Sequence, residues 1–114
     1  MDAYEYNECC TLAEYLEALK RQGRVLQFTH VPNETYTKSW SQKIKNKKQG
    51  VKKGVPDYMI LFPERLIFIE MKRVKGGTVS PEQKEWLANL TSLGFVAVVC
   101  NGFDEAKKVI DQYI

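Results

Sequence analysis

The residues best suited to chemistry in this sequence are two carboxylates and a lysine. Asp57 follows Pro56, and Glu70 and Lys72 lie at the end of the mostly apolar run 66–72. Carboxylate oxygens are the ligands that Mg²⁺ prefers, and a nearby ammonium group can offset negative charge that develops on a reacting phosphate. These residue types therefore indicate metal-dependent hydrolysis of a phosphodiester.

A predicted β-hairpin would bring the three side chains together. The runs 57–62 and 66–72 are the two strands, and 63–65 is the turn between them. Antiparallel pairing then places Asp57 near Glu70 and Lys72. Alternate residues of a strand share a face, so Leu66, Phe68, Glu70 and Lys72 point one way and Ile67, Ile69 and Met71 the other. A strand that is apolar on both faces is buried, and charges at its end are costly unless they are paired or bound.

The motifs occur in an order that resembles a known nuclease family. Besides Pro56-Asp57 and Glu70-Met71-Lys72, they are Lys53-Gly54-Val55-Pro56-Asp57, Ser80-Pro81-Glu82-Gln83-Lys84-Glu85-Trp86-Leu87 and Gly94-Phe95-Val96-Ala97-Val98-Val99. Together they resemble the virus-type replication-repair nuclease (VRR-NUC) domain of the PD-(D/E)XK superfamily in its stand-alone form. The resemblance runs roughly from Glu5 to Ala106.

The resemblance implies a role for each matching residue. It assigns metal binding to Asp57, Glu70 and the backbone carbonyl of Met71, with Lys72 as the catalytic lysine. Gln83 matches a glutamine that supports such sites, although its place three residues after Ser80 also fits a helix cap alone. The implied cofactor is Mg²⁺ or Mn²⁺.

The family also places a glutamate of the first helix near the metal, and two residues compete for this role. Glu5 has the family's spacing, but Cys9 stands where a glutamine is usual. Glu8 is the alternative. The spacing slightly favours Glu5.

The implied fold is an α/β restriction-endonuclease-like core, a small mixed β-sheet flanked by helices. The implied function is a DNA endonuclease, selective for four-way junctions or other branched DNA in replication, recombination or repair. A domain this small offers little surface for a long duplex, and a homodimer would suit a two-fold-symmetric junction. The alternatives are a non-catalytic DNA-binding module and an accessory subunit that acts with a helicase or other replication partner.

The positive charge is concentrated in one segment. Seven lysines and no acidic residue lie between Lys38 and Lys53, whereas the whole chain has a net charge of only +3. Such a segment suits a polyanion, because neutralised phosphates release their counterions. The predicted DNA contacts are Lys43, Lys45, Lys47, Lys48, Lys52 and Lys53. A solvated lysine loop is the alternative interpretation.

Length and composition predict one domain over residues 1–114, without a membrane span or signal peptide, and an intracellular location. Three cysteines and one histidine, with no Cys-x-x-Cys, argue against structural zinc.

Periodicity predicts the remaining elements. Helices are expected over 8–22, 81–93 and 104–113, strands over 25–29 and 95–100, and an irregular stretch over 32–54. Tyr36, Trp40 and Tyr58 could stack on bases, whereas Tyr15 and Trp86 are expected in the core. His30 is a less favoured candidate for a general base.

Overall fold

The computed structural model describes residues 3–32 and 39–114. In chain order the elements are α1 (Ala3–Arg21), β1 (Gln27–His30), α2 (Trp40–Gln49), β2 (Tyr58–Phe62), β3 (Arg65–Lys72), α3 (Pro81–Ser92), β4 (Val96–Asn101) and α4 (Phe103–Asp111). In this part of the chain, no helix is long and apolar enough to cross a membrane.

The four strands form one mixed sheet in the order β1-β2-β3-β4. The pairs β1–β2 and β2–β3 are antiparallel, and β3 pairs with β4 in parallel. A parallel connection needs a crossover, and α3 supplies it between β3 and β4. The predicted mixed α/β architecture and the hairpin of β2 and β3 are confirmed.

The main core lies on one face of the sheet. Ile60, Ile67, Ile69 and Met71 are fully buried there, as the alternation along β2 and β3 requires. They form one apolar cluster with buried residues of α1 and α4. Phe68, on the opposite face, packs edge-to-face on Phe95, with ring centroids 5.6 Å apart.

The expectation of an irregular stretch through residue 54 was wrong, because α2 occupies its centre. The Ser39 hydroxyl accepts a hydrogen bond from the Gln42 N–H, and Gly50 ends the helix in the left-handed conformation at φ 81°. None of the ten residues of α2 is buried. The apolar periodicity that reveals most helices is therefore absent.

Smaller differences concern boundaries and packing. Helix α1 begins at Ala3 rather than residue 8, and β1 and β4 are shifted towards the C-terminus. Tyr15 packs against the core, but Trp86 is 37% exposed, so its assignment to the core was wrong. Most of β4 is half-buried, because α3 covers only part of its outer face.

Candidate active site

Asp57 is held where the chain enters β2. Its backbone carbonyl accepts a hydrogen bond from the Val31 N–H, at 2.6 Å, which continues the β1–β2 pairing. Its side-chain Oδ2 accepts one from the Met71 N–H of β3, at 2.8 Å. Tyr58 pairs with Ile69, so Asp57 lies beside Glu70, as the hairpin predicted. Asp57 is thus buried at 7% exposure, with its side chain held by β3 and its backbone by the residue that follows β1.

Glu70 lies on the face of β3 opposite the main core and is only 1% exposed. Two donors converge on one of its oxygens. The Gln83 Nε2 donates to Oε2 at 2.9 Å, and the Lys72 ammonium lies 3.3 Å from the same Oε2. Within residues 3–32 and 39–114, no group hydrogen-bonds to the other oxygen, Oε1, although it is buried.

The buried position changes the acidity of Glu70. Burial raises the pKa of its carboxyl group to about 8, and the neighbouring Asp57 carboxylate adds to the rise. The Lys72 ammonium opposes this shift without cancelling it. Without a cation, Glu70 is therefore mostly protonated at neutral pH, and a cation bound beside Asp57 would favour its ionised form.

Gln83 links the site to α3 through a helix cap. Its Oε1 accepts from the Ser80 N–H at 2.9 Å, and the Ser80 hydroxyl accepts from the Gln83 N–H at 3.2 Å. This reciprocal arrangement is the predicted capping box. The same side chain also donates to Glu70. Gln83 therefore caps the helix and orients the carboxylate at once, so the two sequence interpretations are not exclusive.

Gly54 is a positioning residue whose role the motif alone did not reveal. It is buried at φ 96°, and a β-carbon there would lie 2.6 Å from the Glu82 carbonyl carbon. Lys53 pairs with the Glu82 carboxylate at 3.1 Å. The chain leading to Asp57 is thus packed on the turn of α3 that carries Gln83. The sequence indicated Gly54 only as part of the motif Lys53-Gly54-Val55-Pro56-Asp57.

The two candidate glutamates of α1 have different surroundings. The charges of both Glu5 and Asp57 raise the pKa of the Cys9 thiol, which burial already shifts upward, to about 11. Glu5 and Asp57 therefore both lie near Cys9. The Glu8 Oε1 instead lies 3.0 Å from the position of a β-carbon on Gly102, in a cavity beyond β3.

The carboxyl groups of the site suit a hard divalent cation that would be bound only partly by the protein. Among the described residues, no three His, Cys, Asp or Glu side chains are grouped to hold a metal ion. Asp57 and Glu70 supply two adjacent carboxylates, and Glu70 Oε1 is a buried acceptor without a protein donor. Mg²⁺ commonly binds one or two carboxylates and keeps several waters, so these groups suit it.

The lysines predicted to contact DNA all lie on the surface. Lys43, Lys45, Lys47 and Lys48 are exposed on α2, and Lys52 and Lys53 follow it. The Lys43 ammonium lies 5.1 Å from the centre of the Trp40 ring, which is 76% exposed. Lys38 and Tyr36 lie outside the described residues.

The other aromatic candidates differ in exposure. Tyr58 cannot stack on a base, because it is 3% exposed and its hydroxyl donates to the Cys9 carbonyl at 3.2 Å. That expectation was wrong. The His30 ring packs on Tyr58, with centroids 5.0 Å apart. Among the described aromatic candidates, Trp40 has an exposed ring in the lysine-rich segment 38–53 that can stack on a base.

Comparison with known proteins gives the same family as the motifs. No match was found among curated proteins. A solved structure described as a VRR_NUC domain protein superposes with a TM-score of 0.71 at 26% identity, covering 100% of this chain and 90% of the other. The family model of the VRR-NUC domain matches residues 2–104. The chain therefore belongs to the VRR-NUC domain family, a family of nucleases.

Proposed function

We propose that this protein is an intracellular Mg²⁺- or Mn²⁺-dependent DNA endonuclease that hydrolyses phosphodiester bonds at Asp57, Glu70 and Lys72. The observation that carries the proposal is the buried Oε1 of Glu70, which accepts no hydrogen bond from any group in residues 3–32 and 39–114, beside a second buried carboxyl group. A buried acceptor without a donor is costly in a folded protein unless a ligand completes it. A cation between these carboxylates would be such a ligand.

Each residue would have a separate task. Asp57 and Glu70, with the carbonyl of Met71 and a carboxylate from Glu5, would hold the cation. The cation would polarise the phosphate and make a bound water more acidic. Lys72, whose side chain is 14% exposed, would orient the attacking water and offset charge developing on the phosphate. Gln83 would keep Glu70 in place.

The lysines of α2 would bind the phosphates of the DNA backbone. Its lysines are exposed, and Lys53 pairs with Glu82 in the first turn of α3, one residue from Gln83. Phosphates attracted by the basic segment would thus be delivered close to the metal site. Branched DNA, in particular a four-way junction processed in recombination or repair, is the proposed substrate, and a homodimer would match its two-fold symmetry.

The purified protein should be tested on labelled duplex, flap and four-way-junction DNA in Mg²⁺, Mn²⁺, Ca²⁺ and EDTA. We expect cleavage in Mg²⁺ or Mn²⁺ only, with the junction preferred. Asp57→Ala should abolish cleavage while DNA binding and the circular dichroism spectrum stay unchanged. Glu64→Ala, an exposed acidic residue in the β2–β3 turn, is the matched control. Activity in EDTA, or in Asp57→Ala, contradicts the proposed site.

The second candidate is a non-catalytic DNA-binding module, and the exposed lysines of α2 favour it. It predicts DNA binding without cleavage under every ionic condition. An accessory subunit would cleave only after a helicase or another replication protein is added. The same substrate panel, repeated with such a partner, separates the three functions.

A further inference from the structure

A cavity lies beyond the end of β3, where the chain continues from Lys72. Its volume is about 420 Å³. One wall comes from the first turns of α1 and the other from the chain that follows Lys72. The lining residues are Tyr4, Asn7, Glu8, Arg73, Val74 and Lys75.

We propose that this cavity binds one unpaired nucleotide of a branched DNA, adjacent to the phosphate held at the active site. The inference rests on the proposed nuclease function and makes its substrate class more specific. It requires a strand whose base is free to leave the duplex stack.

The lining residues match the parts of a nucleotide. Tyr4 is 75% exposed, so its ring can stack on a base. The Asn7 amide can both donate to and accept from a base edge, and the Glu8 carboxylate can accept from an exocyclic amino group. Arg73 and Lys75 provide positive charge for a phosphate. The carboxylate would repel a phosphate, so the base would lie towards Glu8 and the phosphate towards Arg73.

The cavity wall is packed onto the strand that carries Lys72. The Gly102 N–H donates to the Lys72 carbonyl at 2.9 Å. A β-carbon on Gly102, whose φ is 95°, would lie 2.7 Å from the Val74 Cγ2 and 3.0 Å from the Glu8 Oε1. Both sides of the cavity therefore meet at this glycine. The Arg73 Nη2 also donates to the Gly76 carbonyl at 3.1 Å, which restrains the guanidinium.

The position beside the active site determines which DNA could use the cavity. Arg73 directly follows Lys72, so a phosphate near Lys72 and a base in the cavity would belong to neighbouring nucleotides. A base within a duplex is paired and stacked on both sides and cannot enter. Unpaired nucleotides occur at flaps, frayed ends and strand-exchange points. The cavity therefore favours scission next to an unpaired nucleotide, whether at a flap, a frayed end or the strand-exchange point of a junction.

The test measures binding in EDTA, where cleavage does not interfere. Fluorescence anisotropy compares a blunt duplex with the same duplex carrying a single-stranded arm. Tyr4→Ala should weaken binding of the armed DNA roughly ten-fold, the order expected for loss of one stacked base, and leave the blunt duplex unchanged. Tyr4→Phe should keep the wild-type affinity. Tyr6→Ala is the matched control, since Tyr6 is 60% exposed on the same helix but does not line the cavity.

A second pair of variants tests the charges. Arg73→Ala with Lys75→Ala should weaken binding of the armed DNA more than Lys20→Ala with Arg21→Ala, which removes two exposed charges at the far end of α1. With 2-aminopurine as the first unpaired base, wild type should quench its fluorescence by stacking, and Tyr4→Ala should not.

The outcomes separate this inference from the proposed function. Equal effects of Tyr4→Ala and Tyr6→Ala on the armed DNA, or quenching that survives Tyr4→Ala, would overturn the nucleotide cavity while leaving the nuclease proposal intact. A preference for armed DNA that depends on Tyr4, in a protein that cleaves no DNA in Mg²⁺ or Mn²⁺, would keep the cavity and reject the nuclease proposal.

Discussion

The carboxylates of Asp57 and Glu70 are buried and fixed by hydrogen bonds from β3 and α3, whereas the lysines of α2 project from a helix without a single buried residue. Each region concentrates ionisable groups of one type. In the first, two carboxyl groups are held together in a low-dielectric environment, where ionising both is costly. In the second, water and counterions screen the charges and little fixed geometry is needed.

Under the proposed function, this difference would separate the residues that carry out the reaction from those that attract the DNA. A metal site would need ligand positions that do not relax, and the hydrogen bonds from β3 and α3 hold Asp57 and Glu70 in this way. Attraction of a DNA backbone needs charge density near the site rather than defined contacts. Variants in the buried region should therefore change rate or stability without changing affinity for DNA, and variants in α2 should do the opposite.

After Asp57→Ala, Lys72→Ala should have the largest effect, and it tests directly whether the buried region changes the cleavage rate without changing DNA affinity. We expect the cleavage rate to fall roughly 10²- to 10³-fold, as for loss of one group that stabilises developing charge. DNA affinity should stay at the wild-type value. Single-turnover cleavage and anisotropy measure the two quantities. Lys84→Ala, an exposed lysine on α3, is the control. A parallel loss of affinity in Lys72→Ala would show that this lysine binds rather than catalyses.

The complementary test asks whether the lysines of α2 act on DNA affinity and not on rate. The variant replaces four of them by alanine: Lys43, Lys45, Lys47 and Lys48. Binding of duplex DNA should weaken, and the slope of log affinity against log salt should flatten by about 0.9 for each phosphate that the protein no longer neutralises. The single-turnover rate at saturating protein should be nearly unchanged. Lys20, Arg21, Arg24 and Lys108, exposed elsewhere, form the control set. An unaltered salt slope would mean that α2 does not touch the backbone.

Glu70→Gln tests the buried region through the thermal stability of the protein. Above the Glu70 pKa of about 8, this substitution removes a buried negative charge, so at alkaline pH the metal-free protein should melt a few degrees higher in EDTA, as for a gain of about 1 kcal/mol. Mg²⁺ should raise the melting temperature of wild type but not of this variant. Differential scanning fluorimetry with Glu85→Gln, an exposed control on α3, measures both effects. A Mg²⁺ shift retained in Glu70→Gln would place the metal elsewhere.

The smallest effect concerns the additional carboxylate from α1. Glu5→Gln should raise the Mg²⁺ concentration for half-maximal cleavage several-fold, since loss of one carboxylate weakens a hard cation's site without dismantling it. Glu8→Gln should leave this concentration unchanged, because Glu8 lines the separate cavity. The reverse result would move the ligand to Glu8. If neither variant changes this concentration, α1 serves only as a scaffold.

The sequence predicted the hairpin and the convergence of Asp57, Glu70 and Lys72 because strand alternation and local pairing determine both. It did not predict α2, whose caps at Ser39 and Gly50 are short-range signals without an apolar face to support them. The exposure of Trp86 was also missed, since periodicity identifies an apolar face but not what covers it. The attachment of Gly54 to Glu82 depends on packing between distant segments, which no local pattern encodes.

The hairpin of β2 and β3 also has a consequence for the order of folding. Asp57 and Glu70 are thirteen residues apart on one local element, and such hairpins form within about 1–10 μs. The parallel pairing of β4 must wait for the longer crossover through α3, which brings Gln83 to the site. The hairpin can therefore bring the two carboxyl groups together before the residue that orients one of them arrives.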